Sequence, residues 1–278
     1  MSPSSNPTGA PVPAWSHSDV PDRVTVHLDA GRVTIEQAGE VVSYALDTPE
    51  AFTAVSRAWL RCAWDMRYSY TFTWLGRPVI QLPDDLMRLQ EAVYAVRPDV
   101  IIETGVAHGG SLVFNASLCR LLGSGRVLGV DIAIRPHNRQ AIEQHALSPY
   151  ITLIDGDSID PHTLARVKAE LRPGERVMVL LDSDHRRAHV RAELEAYGEL
   201  VSVGSYIVAA DGFMRELAWS RHGRAEWSAD NPHAALQDFL SEHPEFRLEA
   251  PGRPFDEGRG VPATGVTGWP DGWLRRIH

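Results

Sequence analysis

The sequence predicts an α/β fold: a doubly wound, mostly parallel sheet of seven strands with helices on both faces, preceded by a β-meander and a helix. Three observations predict it. Five short apolar runs, Val100–Ile102, Val127–Val130, Ile151–Ile154, Val177–Leu181 and Tyr206–Ala209, recur at intervals long enough for a helix. Strands alternating with helices need right-handed crossovers, which cover a parallel sheet on both faces. Two further strand candidates, Phe246–Glu249 and Trp273–Ile277, follow a helix expected at about Pro232–Ser241. Finally, 278 residues, 44% of them hydrophobic, suffice to bury one large core with decorations rather than two independent ones.

The elements follow in chain order. Residues 1–20, opening M-S-P-S-S-N-P-T-G-A-P-V-P-A, read as a flexible tail, because they lack the basic and apolar regions of a signal peptide. Arg23 to Leu46 alternates apolar and polar residues around Asp29-Ala30-Gly31, the pattern of a hairpin or small meander. Thr48-Pro49 offers an N-cap and a proline for the first helical position, and that helix should run to about Trp64. The aromatic, proline-containing stretch Tyr68–Pro83 suits an ordered loop, completing a cap or lid region over 21–83. Asp84 or Asp85 is then expected to cap a helix whose Leu86, Leu89, Val93 and Val96 share one face and which Pro98 ends; from 84 to 278 the chain is core.

Composition excludes some functions. A formal net charge of -9 gives no general attraction for nucleic acid or anionic lipid, so neither is an expected partner. No apolar run approaches the roughly 20 residues that span a bilayer. Cys62 and Cys119 form no metal-spaced cluster, which fits a reducing compartment and a cytoplasmic location.

Ligands of such sheets bind beyond the carboxyl ends of the strands. After the first run comes E-T-G-V-A-H-G-G-S, Glu103 to Ser111, where Gly105, Gly109 and Gly110 let backbone approach a ligand before a helix opens. Ala107 interrupts any G-x-G-x-x-G pattern, and a plain tight turn remains an alternative. Asp131 ends the second run, where a carboxylate can accept both hydroxyls of a ribose; Asp157 and Ser158 follow the third, where an adenine amino group could be read or a helix capped. A glycine turn and two acids in this sequence suit an adenosyl ligand better than a pyrophosphate. The fourth run continues into Asp182, Asp184 and His185, and the fifth into Ala210-Asp211-Gly212. Asp182 and Asp211 on adjacent strand ends would suit Mg²⁺, with His185 as a general base on an acceptor hydroxyl, unless Asp184 or His185 caps the next helix.

Together, Y-S-Y-T-F-T-W-L-G-R-P-V-I-Q-L-P, I-I-E-T-G-V-A-H-G-G-S, D-I-A-I-R-P-H-N-R, L-L-D-S-D-H and L-V-S-V-G-S-Y-I-V resemble the cephalosporin hydroxylase and rhamnosyl O-methyltransferase family, from about Tyr68 to Asp211. The resemblance implies a Rossmann-like methyltransferase sheet and a metal-assisted, S-adenosylmethionine-dependent O-methyltransferase acting on hydroxyls, often of sugars. It implies that Glu103, Gly105, Ser111, Asp131, Asp157 and Asp182 line the cofactor site and that Tyr70, Trp74 and Gln81 close over it; Ala107, Gly109 and Ser158 of the same loops are expected to join them, and Asp182 and His185 are the expected catalytic residues. Arg135, His137 and Asn138 are candidates to contact the acceptor, although a helix start also explains the last two. Two positions depart from the family's pattern. Ala210 stands where a metal-ligating glutamate is expected, so the resemblance implies weakened metal binding and an impaired or inactive form; Ala133 occupies an often acidic position.

Two other functions fit parts of the pattern: a nicotinamide-dependent oxidoreductase, and an adenosyl-binding module that has lost catalysis through Ala210. The expected acceptor is a mannose- or rhamnose-type glycan, a glycolipid or a glycosylated natural product, and the meander could serve as a homo-oligomer contact or a local lid.

Overall fold

The structure, a computed structural model, describes residues 21–258, 260–262 and 265–278, so the expected tail over 1–20 lies outside the described residues. The opening segment is a meander: β1 (Arg23–His27), β2 (Arg32–Gln37) and β3 (Glu40–Ala45) pair antiparallel, aligning Val24, Ile35 and Val42 across the sheet. Val33 and Ile35 of β2 pack with Ala51 and Ala54 of α1 (Pro49–Asp65), giving this region a small core of its own. Thr48 caps α1, its hydroxyl accepting from Ala51 N at 3.3 Å.

Two expectations are corrected here. The stretch Tyr68–Pro83 is not a loop: a single 3-10 turn (Tyr68–Thr71) leads into a hairpin, β4 (Phe72–Trp74) and β5 (Arg77–Val79). Its two turn residues, Leu75 and Gly76, both have positive φ (45° and 84°), the sign that lets a two-residue turn follow the twist of the strands. Nor does an aspartate cap α2 (Pro83–Val96). Leu82 holds the N-cap position without a side-chain bond, and Asp85 instead turns into the protein, where it accepts from the Thr267 hydroxyl and Gly268 N.

The core sheet is built from β6 (Val100–Thr104), β7 (Arg126–Asp131), β8 (Ile151–Asp155), β9 (Val177–Leu181), β10 (Tyr206–Ala209), β11 (Phe246–Leu248) and β12 (Trp273–Arg276). Its order is β11-β12-β10-β9-β6-β7-β8, and β12 runs antiparallel to both its neighbours. α3 (Gly110–Leu122), α4 (Pro136–Glu143), α5 (Pro161–Ala169), α6 (Arg187–Gly198) and α7 (Pro232–Glu242) supply the remaining helices. Side chains alternate along the strands between two apolar layers: Ile101 and Met178 pack on the face of α2 and α3, whereas Ile102 and Val179 pack on the face of α6 and α7. From β6 the chain winds outward through β7 and β8, then crosses back to β9 and β10. The carboxyl ends of β6 and β9 therefore flank the topological switch point, where such sheets open a crevice.

Candidate active site

The loop after β6 is shaped by left-handed backbone. Gly105, Ala107 and Gly109 have φ of 89°, 44° and 79°, so Ala107 adopts a conformation better suited to glycine. At Gly105 the reason is also steric, since a Cβ there would lie 2.0 Å from the Asp182 carbonyl oxygen. Three partners pin the loop. One Asp131 oxygen accepts from Val106 N (2.8 Å) and Ala107 N (3.3 Å), while the other accepts from Ala133 N. Asn138 donates to Ala107 O at 2.8 Å, and Arg77 donates to His108 O and to the Asn138 side chain. Asn138 is thus buried and committed to the loop, whereas Arg135 and His137 are exposed at the start of α4.

Beside the loop lies a crevice with about 740 Å³ of empty space, open solvent included, lined by Gly105, Asp131, Asp157, Ser158, Asp182 and His189 among others. Ala107 lines it too. His189 Nε2 lies 3.1 Å from Ser158 Oγ and 3.5 Å from Glu193, whose carboxylate raises the His189 pKa. Sequence reasoning passed over this histidine; its only signal was the His189–Glu193 spacing of four on a helix.

Of the residues expected at the cofactor site, Glu103, Trp74, Tyr70, Gly109 and Ser111 do not line this crevice. Glu103 is fully buried under the loop, where it accepts from Ser111 Oγ and from Asn115 Nδ2, and burial pushes its pKa up to about 7. Trp74 packs edge-on against Phe114 of α3 and donates to Ser117 Oγ. Tyr70 is exposed, with the Arg67 guanidinium 5.6 Å from its ring centroid. Ser111 faces Glu103 and is not a crevice-lining residue. Gln81, by contrast, reaches the site, donating from Nε2 to Asp182 Oδ2 at 3.3 Å.

Asp182, His185 and Asp211 bring one potential ligand atom each to within 4.8 Å of one another, a set among the described residues that fits a divalent cation. His185 Nε2 lies 3.4 Å from Asp211 Oδ2. Burial first, and the Asp211 charge second, hold the Asp182 carboxyl well above the usual carboxylate range, with His185 opposing them. A cation would therefore have to displace a proton. Neither Asp184 nor His185 caps α6; Arg186 occupies the N-cap, and Asp184 accepts from its backbone N. Ala210 sits next to Asp211 in sequence but joins the apolar layer that contains Val208, Trp269 and Trp273.

A doubly wound seven-stranded sheet, with a glycine loop at its switch point and a carboxylate pair beside the crevice, places the chain in the class of α/β methyltransferases. The family is explicit: residues 66–277 match the rhamnosyl O-methyltransferase/CmcI family, and the chain belongs to it. It is therefore an S-adenosylmethionine-dependent O-methyltransferase by class, and the nicotinamide alternative falls away. The chain is 29% identical over 177 residues to the rhamnosyl O-methyltransferase of Mycobacterium tuberculosis (strain ATCC 25618 / H37Rv), covering 62% of this chain and 67% of that protein. It is 32% identical over 145 residues to the rhamnosyl O-methyltransferase of Mycobacterium leprae (strain TN), covering 51% and 60%. Among solved structures it is similar to CmcI with Mg and SAM, at 20% identity and a TM-score of 0.48 over 75% of this chain and 78% of that one. No helix among the described residues is long and apolar enough to cross a membrane.

Proposed function

We propose that the chain moves the methyl group of S-adenosylmethionine to a hydroxyl of a sugar-bearing acceptor, assisted by a divalent cation such as Mg²⁺. The acceptor is a mannose- or rhamnose-type oligosaccharide, a glycolipid or a glycosylated natural product. One observation carries this: Asp182 both lines the crevice and belongs to the cluster with His185 and Asp211, so a donor in the crevice and an acceptor at the cluster would be neighbours.

The residues divide the work. Asp131 and Asp157, at the ends of adjacent strands, would receive the adenosyl ribose and base, with Asp131 releasing a backbone amide to do so. Asp182 and Asp211 would hold the cation, which when bound lowers the pKa of a nearby hydroxyl. His185 Nε2 would collect the hydroxyl proton, and Asp211, 3.4 Å away, would stabilise the resulting imidazolium. Gln81 fixes Asp182. Since a sulfonium is already a good leaving group, alignment of donor and acceptor supplies most of the catalysis.

Ala210 leaves this cation site one carboxylate short of the family's pattern. Calorimetric titration of S-adenosylmethionine with and without Mg²⁺, on the parent and on Ala210→Glu, tests the reading. Binding in the parent, with a metal response strengthened by glutamate, supports a methyltransferase weakened at this position. Binding without any metal response in either protein would favour a binding module that has lost catalysis, a reading to which the apolar surroundings of Ala210 also lend support. No binding in all four titrations would end the donor assignment.

A further inference from the structure

One wall of the crevice is built around a histidine to which the methyl-transfer reading gives no task. His189 lies in the first turn of α6 and lines the crevice together with Asp157 and Ser158. Its Nε2 faces three oxygens: Ser158 Oγ at 3.1 Å, Ser183 Oγ at 3.4 Å and Glu193 Oε1 at 3.5 Å. Glu193 stands one turn further along the helix and is fully buried. Its Oε1 accepts the Ser183 hydroxyl at 2.7 Å.

These contacts dictate where the protons lie. A carboxylate can only accept, and Ser183 has spent its proton on Glu193, so both can bond Nε2 only if Nε2 carries a hydrogen. Glu193 foremost, helped by the Asp184 and Asp157 charges, holds the His189 pKa above its ordinary value against the effect of burial, which keeps that proton in place. An Nε2 that carries hydrogen cannot accept in turn. The Ser158 hydroxyl therefore receives the imidazole N–H and points its own O–H elsewhere. The backbone is pinned as well, since the buried Tyr197 hydroxyl donates to Ser158 O at 3.0 Å. Beside it, Asp157 commits Oδ1 to Ile159 N at 3.2 Å and keeps Oδ2 as an acceptor.

We propose that His189 is a positioning residue for the base of the donor: backed by Glu193, it turns the Ser158 O–H toward the crevice, so that Ser158 donates to adenine N1 while Asp157 accepts from the adjacent amino group. The proposal rests on the methyl-transfer reading above and assigns base selection to a pair of residues on α6. A donating hydroxyl beside an accepting carboxylate matches adenine and mismatches hypoxanthine, which presents a carbonyl oxygen and an N–H at the same two places. Without His189 the hydroxyl is free to rotate and accept that N–H, and half of the mismatch disappears.

Calorimetric titration of the full chain with S-adenosylhomocysteine and S-inosylhomocysteine tests this in the parent, in His189→Leu and in His189→Gln, whose amide supplies an N–H in place of the imidazole. The parent should bind the inosyl ligand about a hundredfold more weakly than the adenosyl one, His189→Leu should narrow that ratio to about tenfold, and His189→Gln should restore it. Ser158→Ala, which keeps the histidine and its glutamate, should narrow the ratio as leucine does, and it carries the test if the leucine variant does not fold. A merely structural histidine would weaken both ligands equally, so an unchanged ratio in His189→Leu or Ser158→Ala overturns the proposal, as does a ratio that glutamine fails to restore. A parent that binds both ligands equally keeps its donor site and loses this base selection. If the parent binds neither, the donor reading fails and the proposal falls with it.

Discussion

Ala210 and Asp211 are sequence neighbours in opposite environments, one methyl in an apolar layer and one carboxylate at the cation cluster. Adding a glutamate at 210 puts a further carboxylate into that apolar layer next to Asp211, where an uncompensated charge is costly. Ala210→Glu should therefore melt lower than the parent in EDTA and recover in millimolar Mg²⁺, as scanning calorimetry would read; an equal melting temperature in both conditions would argue against cation binding there. Glu103 gives a second prediction. Its pKa of about 7 in the fold exceeds the ordinary value of 4.5, so between these values the unfolded chain loses a proton that the native chain keeps. Stability from this group is complete below about 4.5 and is lost as pH rises through about 7, of order 3 kcal/mol in all. Glu103→Gln should flatten that decline, measured as urea midpoints from pH 5 to 8 relative to the parent. The residue's acidity was legible in the sequence, but its burial was not. A glutamate at a strand end reads the same whether it faces a ligand or the Ser111 hydroxyl beneath the loop.

Among elements, the strands buried on both faces were the most legible, because burial on both sides writes a continuous apolar run. The five parallel strands were all anticipated, and observed ends differ by a few residues, as with β6, which extends to Thr104. The β4–β5 hairpin was not legible. Its strands have three residues each, Pro78 sits in one of them, and the Leu75-Gly76 turn lacks the usual asparagine or aspartate. The clasp on the glycine loop was equally hidden, since Arg77 of that hairpin, Asp131 and Asn138 come from three separate elements. Within the loop, Gly105 is irreplaceable on two counts: its φ of 89° and the 2.0 Å approach that a Cβ would make to Asp182 O. Gly105→Ala should cost about 3 kcal/mol or more and abolish S-adenosylmethionine binding. Thermal melts and calorimetry would check it, and an alanine variant of parental stability and affinity would contradict the described approach of β6 to β9.

For the whole molecule, the crevice proposed for the donor exists only in the folded chain, so a ligand there should raise stability by mass action. At one hundred times its dissociation constant, S-adenosylhomocysteine should add about 2.7 kcal/mol, a rise of about 5–10 °C for a chain of this size. Differential scanning fluorimetry against ligand concentration would test this, and a flat response would count against the crevice as the donor site. At this scale the sequence disclosed the architecture, the doubly wound core behind a meander and helix, because alternation of strand and helix is itself a long-range pattern. It did not disclose that α1 closes a cavity at Asp211, since no periodicity records where a decoration packs.

The close passage of Gly105 against Asp182 also bears on how the chain folds. β6 and β9 are adjacent in the sheet, yet the whole excursion through β7 and β8 separates them along the chain. Loop closure over that distance comes late and carries a high entropic barrier. A nascent or partly unfolded chain can have β6, its glycine loop and β7 in place and still lack one wall of the crevice. With the donor site proposed for this crevice, affinity should appear only when the second half of the sheet docks on the first, which would make ligand capture a marker of completed assembly: during refolding, recovery of S-adenosylhomocysteine binding should lag behind recovery of helical signal.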